Sequence, residues 1–217
     1  MSKPASPPLF VAGLLAVLAG AVDGVGYLLL GRLFVSFMSG NSTILAVAAA
    51  QGHWHDAARA AGIVLAFVTG VALGAVVGRV SRPYSMPAVL ALVSALLFVA
   101  AAWPGAELAA VPVAAMAAAM GAVNTATDTA GGVPVSLTFV TGALVRLGRG
   151  LGAALYGDHA DRSWLAQLAL WGGLVLGAGL GAVGEMWVGR DTLWAAAAGA
   201  AVMAALTAAV PRLRGAA

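Results

Sequence analysis

The chain has 217 residues, of which 62% are hydrophobic and 9% are charged. Soluble domains average about 25% charged residues, so this composition excludes an ordinary soluble fold and predicts an all-α integral membrane protein. The chain has no cysteine, which excludes disulfides. Its 11 basic and 8 acidic residues are scattered, mostly at the ends of apolar runs, which indicates topology signals and no nucleic-acid binding.

Eight apolar segments are predicted to be helical. In chain order they cover residues 9–30, 34–50, 57–80, 87–103, 107–127, 134–156, 164–188 and 194–210. Residues 1–8 are rich in proline and are predicted to form a disordered tail, whereas residues 212–217 form a basic tail. The lipid bilayer is therefore the first partner that the sequence predicts.

The two halves of the chain resemble each other. Residues 20–23 match 121–124 at an offset of 101. Phe37, Ser39 and Gly40 match Phe139, Thr141 and Gly142 at an offset of 102, and Gly70, Gly74 and Gly78 match Gly173, Gly177 and Gly181 at an offset of 103. We therefore predict two internal repeats within one membrane domain, residues 9–105 and residues 106–211, an arrangement common in transporters.

The positions of the basic residues distinguish two topologies. If all eight segments cross the membrane, seven basic residues lie on the side of the N-terminus and four on the other side. If segments 34–50 and 134–156 enter and return, the division is eight to three. The positive-inside rule favours the second topology, which has about six full spans, two short or broken segments, and both termini in the cytoplasm.

Asp23 is the one acid well inside an apolar run of the first half of the chain. An acid at the centre of a bilayer costs about 2.5 to 3.5 kcal/mol on insertion scales, so another interaction must offset that cost. Either the carboxylate binds a proton, a cation or a polar solute, or it packs helices together by pairing with Asn124 or Arg32. We expect the first, because ionisable residues inside membranes mark transport pathways.

Polar breaks at matching positions of the two repeats complete a predicted solute site. Its residues are Asp23, Ser39, Gly40 and Asn41 in the first repeat and Asn124, Thr141 and Gly142 in the second. If the two glycines break their helices, the freed backbone groups could coordinate a solute directly. The alternative is close packing of small residues.

Three other motifs have weaker functional interpretations. The glycines spaced by four, Gly70, Gly74, Gly78, Gly173, Gly177 and Gly181, predict helix-packing faces, either inside the chain or in a homodimer. Arg146 and Arg149 lie one turn apart and are expected to anchor the cytoplasmic side. The segment from His53 to Asp56 holds two imidazoles and a carboxylate, but ligands this close together are a weak metal signal, and we predict no metal and no other cofactor.

The residues around the first polar break resemble the YoaK family of bacterial multi-spanning membrane proteins, also called DUF1275. The motifs that carry the resemblance are Asp23-Gly24-x2-Tyr27, Gly31-Arg32-x-Phe34-x3-Met38-Ser39-Gly40-Asn41, Met120-Gly121-x2-Asn124 and Thr138-x2-Thr141-Gly142-x-Leu144. The family pattern has Thr-Gly-Asn where this chain has Ser-Gly-Asn, a change that keeps the hydroxyl. The resemblance covers nearly the whole chain and implies a small inner-membrane protein of bacteria, without a substrate.

The sequence therefore predicts a small permease or channel-like transporter of a polar or ionic solute, in which Asp23 either carries the coupling proton or holds a cationic or polar solute. The alternative is a scaffold or assembly partner that does not transport and whose working surface is the glycine faces. An intramembrane enzyme would depend on the loop that contains His53 and His55, and the sequence contains no recognisable catalytic motif, so we predict that the protein is not an enzyme.

Overall fold

The structure is a computed structural model that describes residues 9–31, 33–104, 110–128, 140–157 and 163–210. These residues form α-helices, one short 3₁₀ helix and no strand, which confirms the predicted all-α fold. The α-helices are α1 (Leu9–Leu29), α2 (Met38–Ala50), α3 (Trp54–Val80), α4 (Ser85–Ala102), α5 (Ala110–Asp128), α6 (Val140–Leu155), α7 (Ser163–Val188) and α8 (Thr192–Ala209), and the 3₁₀ helix Gly189–Asp191 joins the last two. The predicted tails, 1–8 and 212–217, lie outside the described residues.

The apolar helices are long enough to cross a bilayer. Helices α1, α3 and α4 qualify by length and composition, as does the continuous stretch Trp164–Ala209, which contains both α7 and α8. Helix α5 has a shorter apolar stretch, Ala110–Ala126, and packs among them as a sixth membrane helix. Helix α2 has only 13 residues, or about 20 Å, which is too short for a hydrocarbon core of about 30 Å.

Two pairs of parallel helices form the most extensive contacts in the described bundle, α1 with α7 and α3 with α5. In both pairs glycine allows the backbones to touch. A methyl group at Gly177 would overlap the carbonyl oxygen of Val17, and one at Gly70 would overlap that of Ala118. Because lipid is as apolar as a leucine side chain, such close van der Waals packing contributes much of the association energy between membrane helices.

The helix pairing follows the internal repeat, since α1 on α7 corresponds to α5 on α3. Gly177 contacts Val17 as Gly70 contacts Ala118, so Gly70 corresponds to Gly177 at an offset of 107. Helices α4 and α8 also begin and end at that offset. The sequence alignment of the glycines at an offset of 103 therefore differs from the structure by one helical turn, and the additional residues of the second repeat lie between Gly142 and α7.

Helix directions show that the repeats are inverted. Helix α4 runs antiparallel to α8, because the Ser94 hydroxyl donates to the Ala197 carbonyl at 2.9 Å and the rings of Phe98 and Trp194 are 5.0 Å apart. Helices α1 and α5 pack against each other as well, and each is the first helix of its repeat. With three crossing helices in each repeat, α1 and α5 point in opposite directions.

Helix α2 starts and ends on the same side of the bundle's midplane, so it does not cross. At the end of α1, the Leu30 carbonyl accepts a hydrogen bond from Arg59 in the second turn of α3, at 3.3 Å. One cavity is lined both by Gly31, after α1, and by Gln51, after α2. The end of α1, the end of α2 and the start of α3 therefore meet at one face of the bundle, here called the Trp54 face; the opposite end, where α1 begins, is the Leu9 face.

The remaining connections agree with this topology. Arg190, after α7, donates to the carbonyl of Trp103 at the end of α4, which places both on the Trp54 face. Helix α6 runs antiparallel to α7, with the Arg146 side chain donating to Gln167 at 3.0 Å near the start of α7 on the Leu9 face. Arg79 and Arg82 also lie at the Leu9 face, at the end of α3 and in the turn that follows it.

The buried core lies where α1, α4, α5 and α8 meet. Its largest fully buried side chains include Leu15, Val22, Leu90, Leu97, Met116, Met120 and Leu193. Many of the exposed large side chains lie on α3 and α7, the helices whose glycine faces pack inward. This distribution is expected for a bundle surrounded by lipid, whose outer surface is as apolar as its core.

Candidate functional site

The chain reverses direction between α1 and α2, where the described residues 30–31 and 33–37 are not helical. Gly31 has φ of 65°, a conformation that glycine adopts readily. The chain then turns back along α1 until Val35 and Ser36 reach Asp23. Asp23 lies six residues before the end of α1, so these residues lie about 9 Å inside that end of the bundle.

Asp23 holds this segment with three hydrogen bonds. One carboxylate oxygen accepts the backbone N–H groups of Val35 at 2.9 Å and Ser36 at 3.0 Å. The other accepts the Ser36 hydroxyl at 2.8 Å. Both N–H groups belong to residues that lie two and three positions before the start of α2. These interactions provide the compensation that a buried acid requires.

Asn41 holds the same segment from the other side. Its side chain is fully buried, accepts the Phe34 N–H at 3.0 Å and donates to the Phe34 carbonyl at 2.5 Å. The amide thus pairs with a backbone peptide as a neighbouring strand would. Asp23 and Asn41 together satisfy the backbone of Phe34 and the N–H groups of the next two residues, which would otherwise be unpaired in apolar surroundings.

Aromatic rings cover the reversal. The ring centroids of Tyr27 and Phe34 are 5.2 Å apart, and those of Phe34 and Phe37 are 5.3 Å apart. A side chain at Gly40 would meet the ring of Phe37 at 2.5 Å. Gly40 therefore makes room for the ring of Phe37 beside the first turn of α2 and does not break the helix, which is the alternative of close packing at this glycine.

The other predicted site residues are more scattered. Ser39 is exposed in the first turn of α2, and Thr141 is exposed in the first turn of α6. Gly142 is partly buried within α6, so this glycine does not break its helix either. The Asn124 amide donates to the Met120 carbonyl of its own helix at 2.7 Å. The chain segment that corresponds to the reversal, residues 129–139, lies outside the described residues.

The predicted packing glycines lie at contacts inside the chain. Gly70 and Gly74 face α5, whereas Gly177 and Gly181 face α1. Of the remaining two, Gly78 is buried in α3, and a methyl group added at Gly173 would lie 3.2 Å from a carbonyl oxygen of α1. Because these glycines pack against helices of the same chain, little of the glycine faces remains for contact with a partner chain.

Two cavities open near the Trp54 face, and Arg59 lines both. The larger has a volume of about 600 Å³ and lies between α3 and the start of α5. The smaller, of about 500 Å³, lies between the reversal, α2 and the α2–α3 turn, and is lined by His53 and Asp56. Sequence reasoning counted Arg59 as a topology signal and missed its place at a cavity.

The two histidines lie at the start of α3, His53 just before the helix and His55 in its first turn. His55 lies 3.5 Å from the carboxylate of its neighbour Asp56, and both side chains are exposed. Over the described part of the chain, no group of three histidine, aspartate or glutamate side chains converges as metal ligands would. The His55 and Asp56 side chains therefore form a contact at the surface.

We predict that Asn41 is essential for stability. Replacing Asn41 with alanine leaves the N–H and carbonyl of Phe34 without partners, which should cost roughly 2 to 4 kcal/mol. Ser39→Ala, an exposed change two residues away, is the control and should cost less than about 0.5 kcal/mol. Thermal unfolding in detergent, followed by size-exclusion chromatography, measures both. Equal melting temperatures for the two variants would contradict the assigned role of Asn41.

Comparisons with known proteins agree with a membrane fold. A family model described as "Protein of unknown function (DUF1275)" matches residues 11–206. The chain is also 39% identical over 205 residues to "UPF0700 transmembrane protein RA0705" of Rhizobium meliloti (strain 1021), an alignment that covers 94% of this chain and 88% of that relative. No solved structure matches the chain.

Proposed function

Since the chain belongs to the DUF1275 family of membrane proteins, we propose that it is a small permease that moves a polar or ionic solute across the bilayer. The observation that supports this proposal most is the non-helical segment 33–37, which returns to the depth of Asp23 inside a bundle of inverted repeats. Backbone without regular secondary structure occurs at membrane depth where it is buried in protein or lines a water-filled cavity. In transporters built from inverted repeats, such discontinuous segments form the solute site.

In this proposal the polar residues of the predicted solute site have two different roles. Asp23 and Asn41 hold the segment in place, because their polar atoms are bonded to its backbone. Ser39 and Thr141 contact the solute, since their hydroxyl-bearing side chains are exposed at equivalent positions of the two repeats. Asn124 with Gly142 completes the second half of the site.

Asp23 couples solute movement to a proton in the same proposal. A proton on the carboxylate removes its charge, so the hydrogen bonds that it accepts from Val35 and Ser36 are no longer charge-assisted. Protonation would therefore weaken the attachment of the segment to α1. The segment could then move while α1 stays packed on α7.

The proposed location is the inner membrane of a bacterial cell, with both termini in the cytoplasm. In this proposal eight of the 11 basic residues lie on the side of the Leu9 face and three on the side of the Trp54 face, the division that the sequence count favoured. By the positive-inside rule, the Leu9 face is cytoplasmic.

Proteoliposomes test the permease proposal. Purified protein is reconstituted with the pH dye pyranine inside, and vesicle re-swelling is followed by light scattering after osmotic shock with a panel of small amino acids, carboxylates, amines and polyols. We expect at least one solute to enter faster than it enters empty vesicles, with a simultaneous pH change. Asp23→Asn should abolish the pH change, whereas Asp56→Asn, an exposed acid, should not. Solute entry and pH traces identical to those of empty vesicles across the panel would contradict the proposal.

A further inference from the structure

Arg59 lies at the boundary of two cavities of different character. The larger cavity, of about 600 Å³, has Arg59 and His55 at one end, and the other described residues that line it are apolar or glycine. These are Leu30, Ala58, Gly62, Ile63, Ala110, Val113 and Ala114. A cavity with a basic end and an apolar wall matches a molecule that is itself divided into a charged head and an apolar body.

The guanidinium of Arg59 has N–H donors that are available to a ligand. One nitrogen donates to the Leu30 carbonyl at 3.3 Å, a long hydrogen bond, and the group carries five N–H donors in total. Over the described ranges of the chain, no carboxylate lies within ion-pair distance of Arg59. Guanidinium groups bind carboxylates and phosphates through two parallel hydrogen bonds, so the free donors suit an oxyanion.

The charged groups around Arg59 favour anion binding in the larger cavity and oppose it in the smaller one. Asp56 lines the smaller cavity, together with His53 and Gln51, and its negative charge opposes an anion there. On the side of the larger cavity Arg59 has His55 beside it, one helical turn away on α3, and no acid among the described lining residues. An anion is therefore favoured only in the cavity whose wall is apolar.

We propose that this cavity binds an amphiphilic anion, with its carboxylate or phosphate head on Arg59 and its apolar body along Gly62 and Ile63. A water-soluble fatty or aromatic acid and an anionic membrane lipid share this chemistry. The site stands apart from the permease proposal, because binding at equilibrium requires no flux. A protein that transports nothing would still bind the anion, and a permease without this site would still transport.

Calorimetric titration of the protein in phosphatidylcholine nanodiscs, with empty nanodiscs subtracted, tests the site. The probes are octanoate, octyltrimethylammonium, which has the same body and the opposite charge, and acetate, which has the same head without the body. Octanoate should bind about tenfold more tightly than either of the others. Equal affinity for octanoate and octyltrimethylammonium would overturn the proposal.

Substitutions at Arg59 and Gly62 test separately the contacts with the charged head and with the apolar body of the anion. Arg59→Gln should weaken octanoate binding about tenfold or more, the loss of one charge-assisted pair, and Arg59→Lys should fall between. Gly62→Leu should also weaken it, because Gly62 has open space around it and a leucine there fills the cavity. The controls are Arg79→Gln at the other end of α3 and Gly172→Leu, which also faces open space. Unchanged octanoate affinity in both Arg59→Gln and Gly62→Leu would overturn the site, even if one of them were unstable.

A second set of nanodiscs distinguishes the two sources of the anion. One third of the phosphatidylcholine is replaced by phosphatidylglycerol, whose phosphate is anionic. If a membrane lipid is the natural occupant, octanoate binding to the wild-type protein should weaken several-fold, and Arg59→Gln should remove that competition. Octanoate affinity that is the same in both nanodiscs supports a soluble acid as the occupant.

Discussion

Replacing Asp23 with alanine is expected to lower the free energy of unfolding by roughly 3 to 5 kcal/mol. The change leaves the N–H groups of Val35 and Ser36 without an acceptor, and each unpaired buried donor costs about 1 to 3 kcal/mol. The Ser36 hydroxyl loses its partner as well. Thermal unfolding in detergent measures the effect, and the loss should be larger than that of any exposed substitution on α2.

Asp23→Asn is the matched variant, because an amide oxygen can still accept both N–H groups and its nitrogen can donate to the Ser36 hydroxyl. We expect it to retain most of the stability and to lose about 1 kcal/mol, the difference between charged and neutral hydrogen bonds. This variant therefore separates the charge of Asp23 from its geometry. If Asp23→Ala unfolded at the same temperature as wild type, the hydrogen bonds to the reversal would not stabilise the fold.

Glycine-to-alanine substitutions on α7 should have opposite effects only two residues apart. At Gly177 a methyl group overlaps the backbone of Val17, so α1 and α7 must separate, and we expect a loss of about 3 kcal/mol, at the upper end for overpacking. At Gly179 the added methyl group meets nothing within 4 Å. There alanine should stabilise by up to about 1 kcal/mol through its higher helix propensity.

Helix α3, which corresponds to α7 in the other repeat, offers a second pair of glycine-to-alanine substitutions for the same measurement. Gly70→Ala on α3 should destabilise as Gly177→Ala does, because its methyl group overlaps the backbone of Ala118, whereas Gly62→Ala should not. Melting temperatures together with size-exclusion mass also test whether the glycine faces join separate chains. Loss of an oligomer with an unchanged melting temperature in Gly70→Ala and Gly177→Ala would assign these faces to an interface between chains and contradict the packing described above.

The helical architecture could be predicted from the sequence, because it depends on the lengths of the apolar segments and on the number of basic residues on each side of the membrane. Asp23 and Asn41 were also identifiable, as polar residues that lipid would not tolerate. Their partners were not, because those partners are mostly backbone groups of Phe34, Val35 and Ser36, and every residue carries the same backbone groups. The sequence analysis predicted that Asp23 and Asn41 contact a solute. In the structure these side chains form hydrogen bonds with the protein's own backbone.

The register of the glycine faces was wrong by one turn for a physical reason. Gly70, Gly74 and Gly78 repeat every four residues, as do Gly173, Gly177 and Gly181, so shifting one series by four still aligns two glycines. Only the helix contacts and the bounds of α4 and α8 show the offset of 107. Arg59 was missed because an arginine near a helix start also fits a topology signal, and a cavity has no signature in sequence.

Single-cysteine accessibility tests most directly whether α2 enters the membrane and returns. The chain has no native cysteine, so Gly31→Cys, at the start of the reversal, and Gln51→Cys, after α2, can each be labelled alone with a membrane-impermeant maleimide. Asp191→Cys marks the Trp54 face and Arg79→Cys the Leu9 face. We expect residues 31, 51 and 191 to be labelled from one side of the membrane and residue 79 from the other. Labelling of residues 31 and 51 from opposite sides would show that α2 crosses, and the hydrogen bonds from the reversal to Asp23 could not then exist.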